Sequence, residues 1–371
     1  MTLSLEVTAR AGAARAGVIR TARGEVRTPC FMPVGTRGAV RTLSSVDLAD
    51  LGVQIVLGNT YHLMLKPGVE VIGAFGGIHG FAGWSGHVLT DSGGYQVFSL
   101  EPGGNVALDD EGVTFRSTYD GGTHRLTPEA AVEIQTRLGA DIQMVLDVCA
   151  PLPSPPAVLR LAVERTAAWA QRARATFLAQ ERSDLNQFGI VQGGTDQALR
   201  AESAQRTVAI GFDGYAVGGL SVGEERAVML ETLAATLSRL PDEQPRYLMG
   251  LGDPIGIVES VALGVDLFDC VLPTRFARHG TILSDEGRYN LKRAENVTAD
   301  RPLDDACACP VCARWSRAYL RHLLIVDEPT APRLLTLHNV WWTLRLVEEV
   351  RAAVETGGLD GVRSRIAAAY E

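Results

Sequence analysis

Short apolar runs recur along the chain, and each stops on a polar residue or a glycine. HVLT runs into Asp91, IQMVL into Asp147, FGIV into Gln192, YAV into Gly218 and Gly219, and VDLF into Asp269. Unbroken apolar runs of this length suit parallel strands buried on both faces. The pattern predicts strands at Phe31–Val34, Gln54–Leu57, His87–Thr90, Ile142–Leu146, Phe188–Val191, Gly214–Val217, Arg246–Met249 and Val265–Phe268. Helical spacing and start signals such as Thr127-Pro128 predict helices over Ser45–Leu51, Thr127–Leu138, Pro156–Ala179, Asp196–Ile210, Gly223–Leu240 and Asp253–Leu263. Eight strands with intervening helices is the count of an α/β fold, the (β/α)8 TIM barrel, whose strands bring their carboxyl ends to one mouth. A single polar pocket is the expected consequence.

Two stretches break the alternation. Paired glycines and alternating β-branched residues near 99–125 predict a small antiparallel insertion beside the mouth. Beyond Thr274 the chain passes through a cysteine cluster and ends in helical sequence. The expected organisation is a barrel over 1–275, a zinc-binding subdomain over 276–342, and a helical segment over 343–371 packing on the barrel. A length of 371 residues suits one barrel of roughly 250 residues with additions, and no internal repeat is present.

Composition adds that the chain is globular, with 46% hydrophobic and 21% charged residues. The N-terminus lacks a basic segment followed by an apolar one, and no apolar run approaches the roughly 20 residues of a membrane span. A cytoplasmic protein with no membrane association is expected. A net charge of −8 argues against a surface built for indiscriminate nucleic-acid binding. Between Cys270 and His322, however, nine Arg and Lys face six Asp and Glu. Such a local basic face can steer a phosphate backbone to one place, although charge alone describes a solvated mixed surface equally well.

Cys307, Cys309 and Cys312 fall within six positions, while Cys30, Cys149 and Cys270 are scattered. Thiols that close cannot all pair in good disulfides, and three thiolates fit three corners of a tetrahedral zinc site. His338 in TLHNV is the best fourth ligand by sequence, with His322 also in reach. Four protein ligands leave no open position, so one structural Zn(2+) is expected.

The strand-end residues also fit one ligand chemistry. The pairing edge of guanine offers two donors beside the O6 acceptor. Asp91 and Asp147 suit the donors, the Gln192 amide and a backbone N–H at Gly219 suit O6, and Tyr95 and Met249 suit the two flat faces. Asp269, ahead of CVLPTR, can attack an anomeric carbon as a nucleophile. Asp266, earlier on the same strand, is its rival and is expected deeper, supporting the barrel. Each residue taken singly also has an ordinary reading as a cap, a turn or packing.

DSGGYQVFSL at Asp91 to Leu100, VQGG at Val191, GGLSVGE at Gly218, FDCVLPTR at Phe268 and CACPVC resemble the bacterial queuine tRNA-ribosyltransferase (tRNA-guanine transglycosylase) family. FMPVGTRGAV and LGNTYHLMLKPG match as well, so the resemblance covers nearly the whole chain. It implies a zinc-bearing barrel acting as a homodimer, which exchanges the wobble guanine of GUN-anticodon tRNAs for 7-aminomethyl-7-deazaguanine (preQ1). It further implies Asp269 as covalent nucleophile and Asp91 as proton-handling carboxylate. Asp147, Gln192, Gly218 and Gly219 would hold the purine, the Leu220 carbonyl would take the aminomethyl group, and Tyr95 and Met249 would sandwich the base. Arg275 and Arg278 would contact tRNA, and Cys307, Cys309, Cys312 and His338 would bind zinc. One departure is Asp147-Val148-Cys149, where the family often has Asp-Glu-Cys. Cys149 and Val222 suit the small aminomethyl substituent. A silent tRNA-binding accessory subunit and a barrel glycoside hydrolase are the alternatives; the pair Asp91 and Asp269 counts against the first, and the 6% aromatic content disfavours the second.

Overall fold

The computed structural model describes residues 3–99 and 106–371. The predicted insertion includes residues 100–105, which lie outside that range. The chain opens with an antiparallel meander, β1 (Ser4–Ala11), β2 (Ala14–Thr21) and β3 (Gly24–Thr28). It then enters the barrel with β4 (Cys30–Gly35), β5 (Ile55–Gly58) and β6 (His87–Thr90). The inserted sheet follows as β7 (Ala107–Leu108), β8 (Val113–Arg116) and β9 (Thr123–Leu126), all antiparallel. The barrel resumes with β10 (Ile142–Met144), β11 (Asn186–Val191), β12 (Gly214–Val217), β13 (Arg246–Leu248) and β14 (Leu267–Cys270). These eight strands are parallel and close on themselves when β14 pairs with β4, Asp269 opposite Met32. The α/β barrel and its inserted sheet are therefore as the sequence pattern predicts.

Buried strands explain the legibility of the pattern. Every residue of β4, β5, β6, β11 and β12 is buried, which leaves no alternating polar face to confuse the reading. Helix starts follow the local chemistry too. The Thr127 side chain accepts from the Ala130 amide ahead of Pro128–Leu138, Asp196 caps Gln197–Ile210, and Asp253 caps Pro254–Ala262.

The last barrel strand differs from the expectation by two residues. Gly264, at φ +98°, and Val265 complete the turn after the Pro254–Ala262 helix, their amides bonding Val261 and Ser260 carbonyls. The strand begins only at Leu267, so Asp269 lies within it and not beyond it.

The N-terminal meander was not expected from the apolar runs. Its first strand alternates between exposed and half-buried positions and its second is nearly all buried. It covers the amino-terminal end of the barrel, where Arg15 of β2 forms a buried ion pair with Asp266 at 2.6 Å and donates to the Asp242 and Gln244 carbonyls. Asp266 also accepts from the Arg246 amide at 2.7 Å, so both carboxylate oxygens are engaged in holding the barrel floor. At the carboxyl terminus, one helix, Thr330–Thr356, runs continuously past position 342, and a last helix, Leu359–Tyr370, folds back. Trp342, Leu346, Val350 and Ile366 pack into the same core as Ile19 and Phe31. No described helix is long and apolar enough to cross a membrane.

Candidate active site and metal centre

The carboxyl ends of the barrel strands surround a cavity of about 410 Å³. Asp91 follows β6, Asp147 follows the short β10, Gln192 follows β11, and Gly218, Gly219 and Leu220 follow β12. Met249 follows β13, Asp269 stands in β14, and Tyr95 lies in the Gly94–Ser99 helix just beyond Asp91. All of these residues line the one cavity, with Cys149, Val222, Gln96 and Tyr247. Tyr95 is 55% exposed and sits at the open edge, whereas Asp91, Asp147 and Gln192 are buried.

Each carboxylate has a distinct set of partners. Asp91 accepts from the Asn59 side-chain amide, from the Thr60 backbone at 2.8 Å and from Gln96 Nε2 at 2.8 Å. Burial pushes its pKa up to about 6 against these donors, with the negative charge of Asp269 adding to the rise. Asp147 accepts from Gln192 Nε2 at 2.6 Å and from the Ser92 hydroxyl at 3.4 Å, and burial pushes it also up to about 6. Asp269 uses Oδ1 to accept from the Tyr247 hydroxyl at 2.6 Å and the Gly250 amide at 2.7 Å. Burial raises its pKa, and both donors oppose that rise.

The glycines at the end of β12 are a steric requirement. A Cβ on Gly218 would stand 2.7 Å from Gln192 Nε2, and one on Gly219, at φ +64°, would stand 2.4 Å from Gln192 Oε1. The Gln192 amide thus packs closely against this loop.

Arg275 and Arg278 do not line the cavity. They lie three residues apart on the Leu272–His279 helix that starts directly after β14, Arg275 exposed and Arg278 half-buried. Arg41 and Arg275 both depress the pKa of Arg278 after burial does, so the three cations share one patch, and Arg278 Nη1 is buried without a hydrogen-bond partner among the described residues.

Away from the mouth, Cys307, Cys309, Cys312 and His338 bring their ligand atoms within 4.8 Å of one another. His338 Nδ1 is 3.6, 3.5 and 3.3 Å from the three sulfurs in chain order. A tetrahedral ion with bonds of about 2.3 Å to sulfur and about 2.0 Å to nitrogen gives sulfur–nitrogen edges of roughly 3.5 Å, so the group fits a metal. Nε2 of His338 is 2.8 Å from the Leu283 carbonyl, which turns Nδ1 toward the thiols. Hydrogen bonds within the trio push the Cys309 thiol down and the Cys307 thiol up. His322, the other histidine within reach by sequence, is exposed on the Arg317–Ile325 helix and is not in the group.

The family described as queuine tRNA-ribosyltransferase matches residues 10–371. The chain belongs to this family. Among its relatives, the queuine tRNA-ribosyltransferase of Solidesulfovibrio magneticus is 49% identical over 359 residues, covering 97% of this chain and 95% of the relative. That of Pelotomaculum thermopropionicum is 48% identical, with 96% and 95% covered, and that of Sphingopyxis alaskensis is 47% identical, with 99% and 98% covered.

In this queuine tRNA-ribosyltransferase family member, several residues at the mouth escaped the sequence reading. Asn59, Thr60 and Gln96 hold Asp91, Ser92 reaches Asp147, and Tyr247 and the Gly250 amide hold Asp269. Asn59 lies within LGNTYHLMLKPG and Tyr247 within the strand predicted over Arg246–Met249, so the signal was present in segments already singled out. Val148, at the position of the family's departure, is buried among Val97, Leu146, Leu159 and Leu199 and does not line the cavity.

Proposed function

We propose that the protein is a tRNA-guanine transglycosylase that replaces the wobble guanine of GUN-anticodon tRNAs with preQ1 by double displacement. The observation that carries this reading is that Asp269 and Asp91 share a cavity with Asp147 and Gln192, a nucleophile and a proton carrier beside a purine-sized slot. The family names a ribosyl transfer to tRNA, and such a reaction requires a base taken out of its stack into a pocket of this kind.

In the first displacement the free oxygen of Asp269 bonds ribose C1′, the C1′–N9 bond breaks, and its electron pair leaves on guanine. Asp91, with a pKa near 6, is part protonated at neutral pH and supplies the proton that the departing purine takes. Asp147 and the Gln192 amide orient the base, Gly218, Gly219 and Leu220 close one side, and Tyr95 and Met249 lie against its faces. In the second displacement preQ1 occupies the slot, Asp91 removes its N9 proton, and N9 attacks C1′, releasing Asp269 as carboxylate. Tyr247 and Gly250 hold Oδ1 of Asp269 throughout, which leaves Oδ2 as the attacking atom. Net retention at C1′ follows from two inversions.

Cys307, Cys309, Cys312 and His338 would hold one zinc ion as a closed four-ligand site, which supplies local stability and no reaction chemistry. Arg275 and Arg278, on the helix that follows the strand of Asp269, would bind the tRNA backbone or the bases next to the target. We assign the protein to the cytoplasm, where its tRNA substrate is, and to a homodimer as its working form. The regions 1–275, 276–342 and 343–371 would serve as catalytic barrel, metal-stabilised RNA-binding unit and helical segment packing on the barrel, with the Thr330–Thr356 helix joining the last two.

Exchange of labelled guanine into tRNA tests the assignment. The wild-type chain should incorporate label, and a protein–tRNA adduct should persist on a denaturing gel when a poor incoming base is supplied. Asp269→Asn should lose both while keeping its metal. A wild-type chain that binds tRNA without exchange would be an accessory subunit, and one that cleaves free glycosides would be a hydrolase.

A further inference from the structure

Behind the purine slot lies a buried cation that none of these steps uses. Arg200 sits in the first turn of the Gln197–Ile210 helix, is 1% exposed, and forms no ion pair among the described residues. Its hydrogen-bond partners among the described residues are backbone carbonyls only. Nε donates to Gly194 at 2.8 Å, Nη1 to Val191 at 2.9 Å and Nη2 to Gly219 at 3.2 Å. Burial lowers its pKa to about 10, so the guanidinium stays charged at neutral pH.

These carbonyls belong to the loops after β11 and β12. Val191 and Gly194 bracket Gln192, and the Gly219 carbonyl fixes the peptide that leads into Leu220. The loops meet with little clearance, since a Cβ at either Gly218 or Gly219 would collide with the Gln192 amide. Gly193, at φ +138°, is equally confined, because its Cβ would stand 2.9 Å from the Arg200 amide. Enclosing an unpaired guanidinium is unfavourable for folding, and an apolar side chain would fill the space at lower cost. What an apolar residue cannot do is hold two loops in register through a rigid fork of donors.

We propose that Arg200 is a positioning residue for the purine: it sets Gln192 against Gly218 and Gly219 through the carbonyls of both loops, and so governs affinity for the free base, whose whole site is this slot, more than for tRNA, which is also held outside it. The inference rests on the reading of this slot as a purine site.

Full-length Arg200→Gln and Arg200→Lys test it, with guanine varied at saturating tRNA and tRNA varied at saturating guanine. Losing a buried, charge-assisted contact set predicts a guanine KM raised ~10-fold or more in R200Q and less in R200K, which keeps the charge and loses the fork. The KM for tRNA should rise by a smaller factor than the guanine KM, and the metal content should stay at the wild-type level. Unchanged guanine KM with kcat and melting temperature falling together would reduce Arg200 to a structural role and overturn the proposal, as would an equal rise in both KM values. If R200Q does not fold, R200K carries the same comparison. Direct calorimetric titration with guanine separates the two readings. A wild type that binds guanine but does not exchange it sinks the transferase assignment alone, and R200K must still bind more weakly. A wild type that does not bind guanine overturns the Arg200 proposal itself.

Discussion

The Tyr247 hydroxyl donates a 2.6 Å hydrogen bond to Oδ1 of Asp269, from a ring that is almost wholly buried. The phenol stabilises the carboxylate that burial disfavours, so Tyr247→Phe should raise the Asp269 pKa. A hydrogen bond to a charged group contributes about 1.5–3 kcal/mol, which corresponds to a pKa roughly 1–2 units higher and to exchange roughly 10- to 100-fold slower on the acid limb. The acid limb of the pH–rate profile should move to higher pH, and an unmoved limb would remove Tyr247 from the mechanism.

Asp147 trades stability for recognition. Its pKa near 6 lies above the ordinary value of 3.8, so the folded state holds the proton more tightly than the unfolded chain. The stability linked to that proton is complete below about 3.8 and is lost as pH rises through about 6. Asp147→Asn should therefore melt higher than wild type at pH 7 to 8, by ~2–3 kcal/mol at most, and the gain should vanish in acid. Base exchange should fall sharply in the same variant. Equal melting at all pH values would show that the carboxylate is not strained by burial.

The metal group makes a third prediction. His338→Ala removes one proposed ligand and the link to Leu283, so bound metal, expected at one ion per wild-type chain, should drop out. Structural zinc supplies roughly 10–16 kcal/mol in isolated finger peptides. Its loss should expose the segment around Cys307–Cys312 to protease while the barrel keeps its helical signal. Wild-type protein stripped by a chelator should behave alike; identical proteolysis with and without metal would count against a stabilising ion.

Arg275 and Arg278 should act on RNA and not on the base. Replacing either with Ala should raise the tRNA KM and lower the salt slope of tRNA binding by about 0.7 per lost phosphate contact. Guanine KM should be unaffected. A salt slope equal to wild type would mean that neither cation meets a phosphate.

The sequence discloses the barrel well because its strands are buried on both faces, and the cavity because its polar residues stand at strand ends. The meander was hidden because β1 offers only a half-buried alternation, too weak to outweigh the apolar runs that follow. Asp269 was assigned to the position after its strand because the turn at Gly264 consumes the first residues of the apolar run. The partners of the carboxylates were illegible for a different reason: Asn59 meets Asp91 and Tyr247 meets Asp269 only once the barrel closes. Arg200 had no signal at all beyond its helix, since backbone carbonyls leave no mark in a sequence.

The strand that carries Asp269 begins just after Asp266, and Asp266 is clasped by Arg15 of the meander. The Asp269 carboxylate is thus anchored from the opposite end of the barrel by a hairpin that contributes no residue to the cavity. Clipping the amino terminus, or substituting Arg15, would release the far foot of that strand and blunt the chemistry without altering a single group in the mouth.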